Sequence, residues 1–225
     1  MNLLYESARS FIRLYSRLMF NLDVRRHDRL PLGPKIFVAN HPSATDPFIL
    51  HLLSQEPMGV LIVSTAFTFP LFGEYLRRAG QIQVVPGQGE LALEQARHYL
   101  LSGYSVGIFP EGNFSPPTGG FRAPRSGAAR LALRTGAPVV PVGIYLPRDS
   151  LLRIDSHLCG RTTVGYWYLR GSYAITVGSP LTLEGDSDDP VTVRMCSQEL
   201  MEAIKSLAWK SEFRARHLGP VPVRY

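Results

Sequence analysis

The sequence predicts a single α/β domain with a mostly parallel central sheet, helices on both faces and an amphipathic helix at the amino terminus. Three observations support this fold class. The length of 225 residues suits one domain, and an apolar fraction of 45% is enough to bury a full core. After Pro31 and Pro34, short apolar segments alternate with helical patterns, as in a parallel sheet flanked by helices.

The first predicted element, from Leu3 to Leu22, has the pattern of a basic amphipathic helix. Arg9, Arg13 and Arg17 recur at every fourth position and form one basic stripe, while most apolar residues fall on the other faces. Residues 1–40 carry seven basic and three acidic side chains, which is +4 of the total net charge of +6. We expect this helix to lie on a membrane surface with its arginines toward lipid phosphates. The alternative is that its apolar side packs on the core of the domain.

Neither a membrane-spanning helix nor a cleaved signal peptide is predicted. No stretch of about eighteen uninterrupted apolar residues occurs, and residues 1–5 lack a basic segment ahead of an apolar one. The two cysteines, Cys159 and Cys196, form neither a disulfide framework nor a metal-ligand cluster, which favours a reducing compartment. We therefore expect a peripheral protein at the cytoplasmic face of a membrane.

The remaining elements alternate along the chain. The predicted strands are Lys35–Ala39, Val60–Ser64, Gln81–Val85, Tyr104–Phe109, Val139–Ile144 and Tyr173–Val177. The predicted helices are Pro47–Ser54, Leu71–Ala79, Glu90–Leu101, Gly127–Thr135 and Val191–Trp209. The predicted division is a membrane-contacting segment over residues 1–30, one domain over 31–215 and an irregular tail over 216–225. Within the domain, the acidic turn at Gly185–Pro190 is expected to cap the last helix.

Two polar segments directly follow predicted strands. Residues 40–46 follow Lys35–Ala39, and residues 110–113 follow Tyr104–Phe109. Ligands of open parallel sheets bind outside the carboxyl ends of the strands. These two segments are therefore where the sequence predicts the functional site.

His41 and Asp46 are the candidate catalytic pair of the first segment. Pro42 favours an extended backbone at His41, so this histidine is expected in a loop. Asp46 can accept a hydrogen bond from one imidazole nitrogen and leave the other free to take a proton from a substrate hydroxyl; an imidazole titrates near ~6.5 and so can act as a base at neutral pH. The alternative is a turn in which Asp46, just before Pro47, only caps a helix and His41 is incidental.

At this point the sequence resembles the glycerolipid acyltransferase family, whose best-known members acylate lysophosphatidic acid. Asn40, His41 and Asp46 look like the family signature, and Phe109-Pro110-Glu111-Gly112 looks like its acceptor-binding motif. Three further segments resemble family blocks in the same order, namely Pro70–Gly80, Ser126–Ala132 and Val139–Val142. The resemblance runs from about Leu30 to Leu181.

The resemblance implies an acyltransferase of lipid and phospholipid biosynthesis. His41 would be the general base and Asp46 its partner, and the donor would be acyl-coenzyme A or acyl-acyl carrier protein as co-substrate, with no metal and no other cofactor. The expected partners are a membrane lipid surface, a lipid acceptor and the donor. The residues expected to bind substrate are Asn40, Phe109, Pro110, Glu111, Gly112, Asn113, Arg122 and Arg125.

Two positions depart from the family pattern. Pro86 follows the strand where the second block usually has an arginine, and Phe114 stands where the third block has one. In the family, both arginines are read as groups that bind the phosphate of the acceptor. The loss of two charge-assisted contacts is expected to weaken the binding of a phosphate-bearing acceptor by a factor of ~100 or more. Arg122 and Arg125 are the candidates to compensate, or else they are solvated loop charges. Phe114 thus favours a less charged or bulkier acceptor, such as a glycolipid, an amino-acid lipid or another lysolipid.

The segment Val164–Tyr173 is unusually aromatic. It contains Tyr166, Trp167, Tyr168 and Tyr173. Three interpretations stay open from the sequence: part of an acceptor pocket, an interfacial anchor, or a buried edge strand.

The alternatives to acyl transfer are a thioesterase, a non-catalytic membrane-binding domain and a nucleic-acid-binding protein. Water in place of the acceptor would make the chain a thioesterase, although a hydrolase that uses a general base is not expected with this order of motifs. A non-catalytic membrane-binding domain would have no chemical use for His41, Asp46 and Glu111. Arg makes up 21 of the 24 basic residues and suits an anionic partner, but basic and aromatic residues are not interleaved, so no nucleic-acid partner is predicted.

Overall fold

The chain forms a seven-stranded sheet and a separate two-stranded hairpin, seen in a computed structural model that describes residues 3–158 and 161–217. The strands are β1 Phe20–Arg26, β2 Ile36–Ala39, β3 Met58–Val63, β4 Ile82–Val84, β5 Ser105–Ile108, β6 Val139–Tyr145, β7 Leu152–Leu158, β8 Arg161–Trp167 and β9 Gly171–Val177. The helices are α1 Leu3–Met19, α2 Asp46–Leu50, α3 Phe72–Arg78, α4 Gly89–Leu101, α5 Gly127–Thr135 and α6 Pro190–His217. Two 3₁₀ turns cover Ser64–Thr68 and Arg148–Ser150.

The main sheet has the order β1-β9-β6-β2-β5-β3-β4, and every neighbouring pair is parallel except β6 and β9. This confirms the predicted mostly parallel sheet. The carboxyl ends of β2, β5 and β6 meet at one edge, while β9 runs the other way and begins there. That edge therefore collects the loops after β2 and β5 together with the first residues of β9.

Two apolar clusters cover the faces of the sheet. One cluster contains buried residues of α4, α5 and α6, and the other contains residues of α2 and β1 with partly buried residues of α1. Central strands such as β2 and β5 are buried along their whole length, as expected for a sheet covered on both sides. The sheet thus provides a rigid base for the loops at its carboxyl edge.

The amino-terminal helix ends earlier than predicted. The predicted helix from Leu3 to Leu22 was wrong in its last three residues, because Phe20–Arg26 forms β1, pairing in parallel with β9. Phe20 and Leu22 alternate with polar residues and bury their side chains against the sheet, which favours a strand over another helical turn. The segment over residues 1–30 therefore contributes a strand to the main sheet, and its membrane contact stays a prediction.

The last helix is longer than predicted and begins at the predicted acidic turn. The Asp189 carboxylate accepts hydrogen bonds from the backbone N–H groups of Val191 and Thr192, which caps α6. A hydrogen bond from the Thr192 hydroxyl, followed by these two backbone bonds, lowers the pKa of Asp189. Of the predicted irregular tail, residues 216 and 217 lie in α6, and residues 218–225 lie outside the described residues.

Candidate active site

His41 and Asp46 form a hydrogen-bonded pair at the carboxyl edge of the sheet. His41 Nδ1 lies 2.9 Å from Asp46 Oδ2. Because an ionised carboxylate only accepts, Nδ1 carries the hydrogen. Helix α2 begins at Asp46 with Thr45 as its N-cap residue, and the Asp46 carboxylate turns back toward the loop. The helix-capping alternative for Asp46 is therefore wrong, and the structure brings together the two predicted catalytic residues.

The Asp46 carboxylate is fully buried and accepts three hydrogen bonds. Oδ2 accepts from His41 Nδ1 and from the Ser43 backbone N–H at 2.8 Å, and Oδ1 accepts from the Tyr173 hydroxyl. Within the described ranges, no lysine or arginine forms a salt bridge with it. A buried charge needs such donors. Burial, followed by the charge of Asp46, raises the pKa of Tyr173 well above its ordinary value, so its hydroxyl keeps its hydrogen and donates.

The His41 ring contacts the rings of two phenylalanines. Its centroid is 4.0 Å from that of Phe109, with 18° between the planes, and 4.7 Å from that of Phe114. About 14% of the His41 side chain is exposed, and Nε2 has no hydrogen-bond partner among the residues that the structure describes. Since Nδ1 holds the hydrogen, Nε2 presents a lone pair. A base in this state can accept a proton from a hydroxyl group.

Glu111 ties the two predicted loops together. Its buried carboxylate accepts hydrogen bonds from the His41 backbone N–H at 3.1 Å, from the Ser115 hydroxyl at 2.5 Å and from the Arg122 backbone N–H at 2.8 Å. These contacts fix the backbone of His41 relative to the loop after β5. Glu111 thus holds the base in place, and its predicted contact with substrate stays a prediction.

Asn40 performs a similar task between two strands. Its side chain is buried, Nδ2 donates to the Ile144 carbonyl at 2.8 Å, and Oδ1 accepts from the Ile144 backbone N–H at 2.7 Å. Both ends of the amide are therefore used to join the carboxyl end of β2 to β6. The structure shows a positioning role for Asn40, and its predicted contact with substrate stays a prediction.

Gly112 and Arg125 meet at the outer side of the loop. Gly112 has φ of +63°, which favours glycine, and a Cβ there would come within 2.3 Å of Arg125 Nε. The Arg125 backbone N–H donates to the Pro110 carbonyl at 2.7 Å. Gly112 thus allows the Arg125 side chain to lie directly on the loop that follows β5.

Arg122 also lies against this loop. Its Nε donates to the Phe114 carbonyl at 2.8 Å, while Asn113 Oδ1 accepts from the Phe114 backbone N–H at 2.8 Å. Arg148, which the sequence did not single out, donates to the Pro116 carbonyl. Burial lowers the pKa of Arg148, against the opposing charge of Glu111. Basic groups therefore gather around the loop, while the Phe114 ring contacts that of His41.

The hairpin β7–β8 supports the loop that contains His41. The Ala44 N–H and the Ser43 hydroxyl both donate to the Tyr166 carbonyl, at 2.6 and 3.1 Å. The Tyr166 ring packs edge-on against Phe114, with centroids 5.8 Å apart. The interpretation of a buried edge strand was wrong for this part of the segment, because among the described strands β8 pairs with β7 alone, outside the main sheet, and Tyr166 is partly exposed.

An apolar cavity of about 490 Å³ opens at the start of α2. Its volume falls within the range of small-molecule sites, ~300–1,000 Å³. It reaches Thr45, the residue before Asp46. Its other walls come from α1, α2, α3 and the end of the hairpin, namely Ser7, Ala8, Phe11, Ile12, Tyr15, Phe48, Ile49, Tyr75, Trp167 and Leu169. A long apolar group would fit in this cavity.

Sequence comparison relates the chain to enzymes that transfer acyl groups. The model of a family described as Acyltransferase matches residues 21–145, which is 125 of the 225 residues. A lyso-ornithine lipid O-acyltransferase of Pseudomonas aeruginosa is 33% identical over 62% of this chain and 53% of its own length. An uncharacterised protein of Mycobacterium tuberculosis is 24% identical over 90% of this chain and 65% of its own length. The chain thus spans about two thirds or less of the length of these relatives.

Structural comparison supports the same fold. The crystal structure of the 1-acyl-sn-glycerophosphate acyltransferase PlsC from Thermotoga maritima superposes with a TM-score of 0.64 at 22% identity, covering 92% of this chain and 79% of that chain. At this level of identity the similarity concerns the fold.

Proposed function

This chain belongs to the acyltransferase family, and from that premise we propose that it moves a fatty acyl group from a thioester donor to a hydroxyl group of a lipid acceptor. The observation that carries the proposal is the hydrogen bond between His41 Nδ1 and Asp46 Oδ2, which leaves Nε2 without a partner among the described residues. Asp46 fixes the ring in the tautomer that a general base requires. The donor is acyl-coenzyme A or acyl-acyl carrier protein, and no resident cofactor takes part.

The proposed reaction is one nucleophilic attack followed by collapse. His41 Nε2 takes the proton of the acceptor hydroxyl as its oxygen bonds to the thioester carbonyl carbon. The tetrahedral intermediate then breaks its carbon–sulfur bond, and the leaving thiolate recovers a proton from the imidazolium ring. Asp46 stabilises the charged ring between the two steps. A positioned general base of this kind accelerates the reaction by about 10²–10⁴-fold.

The apolar cavity is proposed to hold the acyl chain during transfer. Its apolar walls from α1, α2 and Trp167 suit a hydrocarbon, and it begins next to the residue before Asp46. Each buried methylene stabilises binding by about 0.8 kcal/mol. The chain would therefore extend away from the reacting carbonyl and toward α1.

The acceptor is proposed to be a lysolipid with little charge next to its reacting hydroxyl. The Phe114 ring lies 4.7 Å from the His41 ring, centroid to centroid, so an aromatic group and not a charged one contacts the base at this position of the sequence. The relative from Pseudomonas aeruginosa is named for a lyso-ornithine lipid. Arg122 and Arg125 lie farther out on the loop, where they can meet an anionic part of the acceptor or donor.

The reaction is proposed to take place at the cytoplasmic face of a membrane. Phe11, Leu14 and Leu18 follow each other on one side of α1, and each has more than half of its surface exposed. Arg9 binds the carbonyl of Ser54 in the body of the domain, so it faces the protein and not lipid. Among the described helices, none has the length and apolarity needed to cross a bilayer.

An acceptor panel tests this function. The protein would be incubated with a labelled long-chain acyl thioester and liposomes that contain lysophosphatidic acid, lyso-ornithine lipid, a neutral lysolipid or a glycolipid. One set of reactions would use the coenzyme A thioester and the other the carrier-protein thioester. We expect an acylated lipid by mass spectrometry. Free fatty acid alone would indicate a thioesterase, and liposome binding without turnover would indicate a non-catalytic membrane domain.

A further inference from the structure

We propose that Tyr173 is a positioning residue for this reaction, acting on His41 through Asp46. This inference rests on the proposed function, and it concerns a residue that the family motifs do not contain. Tyr173 lies in β9, 127 residues after Asp46, and its hydroxyl donates to Asp46 Oδ1. The chain of contacts runs from Tyr173 to the buried carboxylate and from the carboxylate to the imidazole ring.

The fold holds the Tyr173 side chain against Asp46 in one conformation. Strand β9 lies between β1 and β6 and begins at the edge where the site forms. The Tyr173 side chain is fully buried, and its ring contacts those of Phe20 and Tyr168, with centroids 5.4 and 6.1 Å away. A tyrosine packed on several sides keeps its hydroxyl in one place. Its O–H group therefore acts as a fixed donor beneath Asp46.

The Tyr173 hydroxyl has an effect on Asp46 that the packing of its ring does not have. Asp46 has two oxygens, and Oδ2 already accepts from His41 and Ser43. With Oδ1 held by Tyr173, the carboxylate cannot rotate away from the ring, and its buried charge has a third donor. A fixed O–H dipole facing a carboxylate favours the ionised form and disfavours proton uptake by the His41–Asp46 pair. Loss of the hydroxyl should therefore make the pair take up a proton at higher pH.

Other titratable groups near the pair come from separate elements. Glu111, in the loop after β5, accepts from the His41 backbone, and Tyr166 of β8 packs on Phe114. Arg148, after β6, interacts electrostatically with Glu111. None of these groups contacts the Tyr173 hydroxyl in the described part of the chain. A change in pH dependence caused by removing that hydroxyl can thus be assigned to Asp46 and His41.

The test is Tyr173→Phe with Tyr168→Phe as the matched control. Tyr168 is equally buried in the same aromatic group, but its hydroxyl donates to the Ser172 carbonyl. We expect Tyr173→Phe to lower kcat by about tenfold with little change in KM, because a charge-assisted hydrogen bond is lost. The acid limb of its pH–rate profile should move to higher pH. Tyr168→Phe should keep the wild-type kcat and pH profile.

A measurement without substrate separates this proposal from the proposed function. In ¹⁵N-histidine-labelled protein, proton uptake by the His41 ring should occur at higher pH in Tyr173→Phe than in wild type or Tyr168→Phe. If the wild type transfers no acyl group but this shift occurs, the function is wrong and the positioning role stands. If Tyr173→Phe has the same free energy of unfolding as Tyr168→Phe and keeps the wild-type kcat, pH profile and His41 titration, Tyr173 is only a packing residue.

Discussion

The Phe114 ring lies against the His41 imidazole, with centroids 4.7 Å apart and an angle of 41° between the planes. The Tyr166 ring packs edge-on against Phe114. An aromatic side chain therefore borders the base where the sequence resemblance leads one to expect a guanidinium group. Phe114 is therefore the residue that we expect to influence which acceptor the protein uses.

Replacing Phe114 with arginine should change the preference among acceptors. A guanidinium group beside the acceptor hydroxyl can form charge-assisted bonds with a phosphate, worth about 1.5–3 kcal/mol. We expect the ratio of kcat/KM for lysophosphatidic acid over a neutral lysolipid to rise about 10- to 100-fold. Phe114→Leu, which removes the ring without adding charge, should not raise this ratio. An unchanged ratio in Phe114→Arg would remove Phe114 as a determinant of specificity.

Filling the cavity should shorten the preferred acyl chain. Ala8 lines the cavity from α1, so Ala8→Phe places a ring in the space proposed for the chain end. Each methylene that can no longer be buried lowers the binding free energy by about 0.8 kcal/mol, roughly fourfold in kcat/KM. Competition among acyl thioesters of different length measures the change. Ser10→Phe adds the same ring at an exposed position of α1 that does not line the cavity, and it should keep the wild-type preference. Equal preferences in the two variants would place the acyl chain elsewhere.

Replacing Glu111 with glutamine should reduce both stability and activity. The carboxylate accepts three hydrogen bonds, and an amide nitrogen cannot accept from a backbone N–H. We expect a loss of about 1–3 kcal/mol in the free energy of unfolding, measured by denaturant titration. A fall in kcat should accompany it, because the backbone of His41 loses its support. Unchanged stability would mean that Glu111 does not hold the two loops together.

The buried His51 should make the protein less stable as the pH falls below neutrality. Burial, aided by the charge of Arg9 and opposed by a hydrogen bond with Gln81, lowers the pKa of His51 to about 4. The unfolded chain takes up a proton near pH 6.5, whereas the folded protein resists protonation until about pH 4. This contribution is therefore complete above pH 6.5 and is lost as the pH falls toward 4.

Thermal and denaturant unfolding at several pH values check this prediction. Between pH 6.5 and pH 5, the free energy of unfolding should fall by about 2 kcal/mol more in wild type than in His51→Gln. The comparison ends at pH 5 because most carboxylates titrate below it. The same pH dependence in both proteins would show that His51 does not remain neutral in the folded state.

The sequence predicted the main sheet and the His41–Asp46 pair because both depend on local patterns. Apolar segments of four to seven residues identify β2, β5 and β6, and only four residues lie between the two members of the pair. Strand β1 is not predicted, because the apolar positions of the predicted helix continue at helical spacing as far as Leu22. Phe20, Leu22 and Val24 nevertheless alternate with polar residues. That alternation was the signal for a strand.

Tyr173 and the hairpin could not be assigned their roles from sequence. Tyr173 meets Asp46 only because β9 runs antiparallel to β6 and begins at the edge where β2 ends. Likewise, the contacts of Tyr166 with Phe114 and with the loop after β2 depend on how the hairpin folds back on the sheet. Such contacts between distant segments follow from topology, which composition and periodicity do not specify.

The most direct test of the account is acyl transfer by His41→Ala, measured by mass spectrometry with the best acceptor found for the wild type. His27→Ala is the matched control, because His27 is exposed after β1 and away from the pair. We expect His41→Ala to lower the rate by about 10²–10⁴-fold while liposome binding and thermal stability stay near those of wild type, and His27→Ala to keep full activity. Transfer by His41→Ala at the wild-type rate would contradict the assignment of His41 as the base.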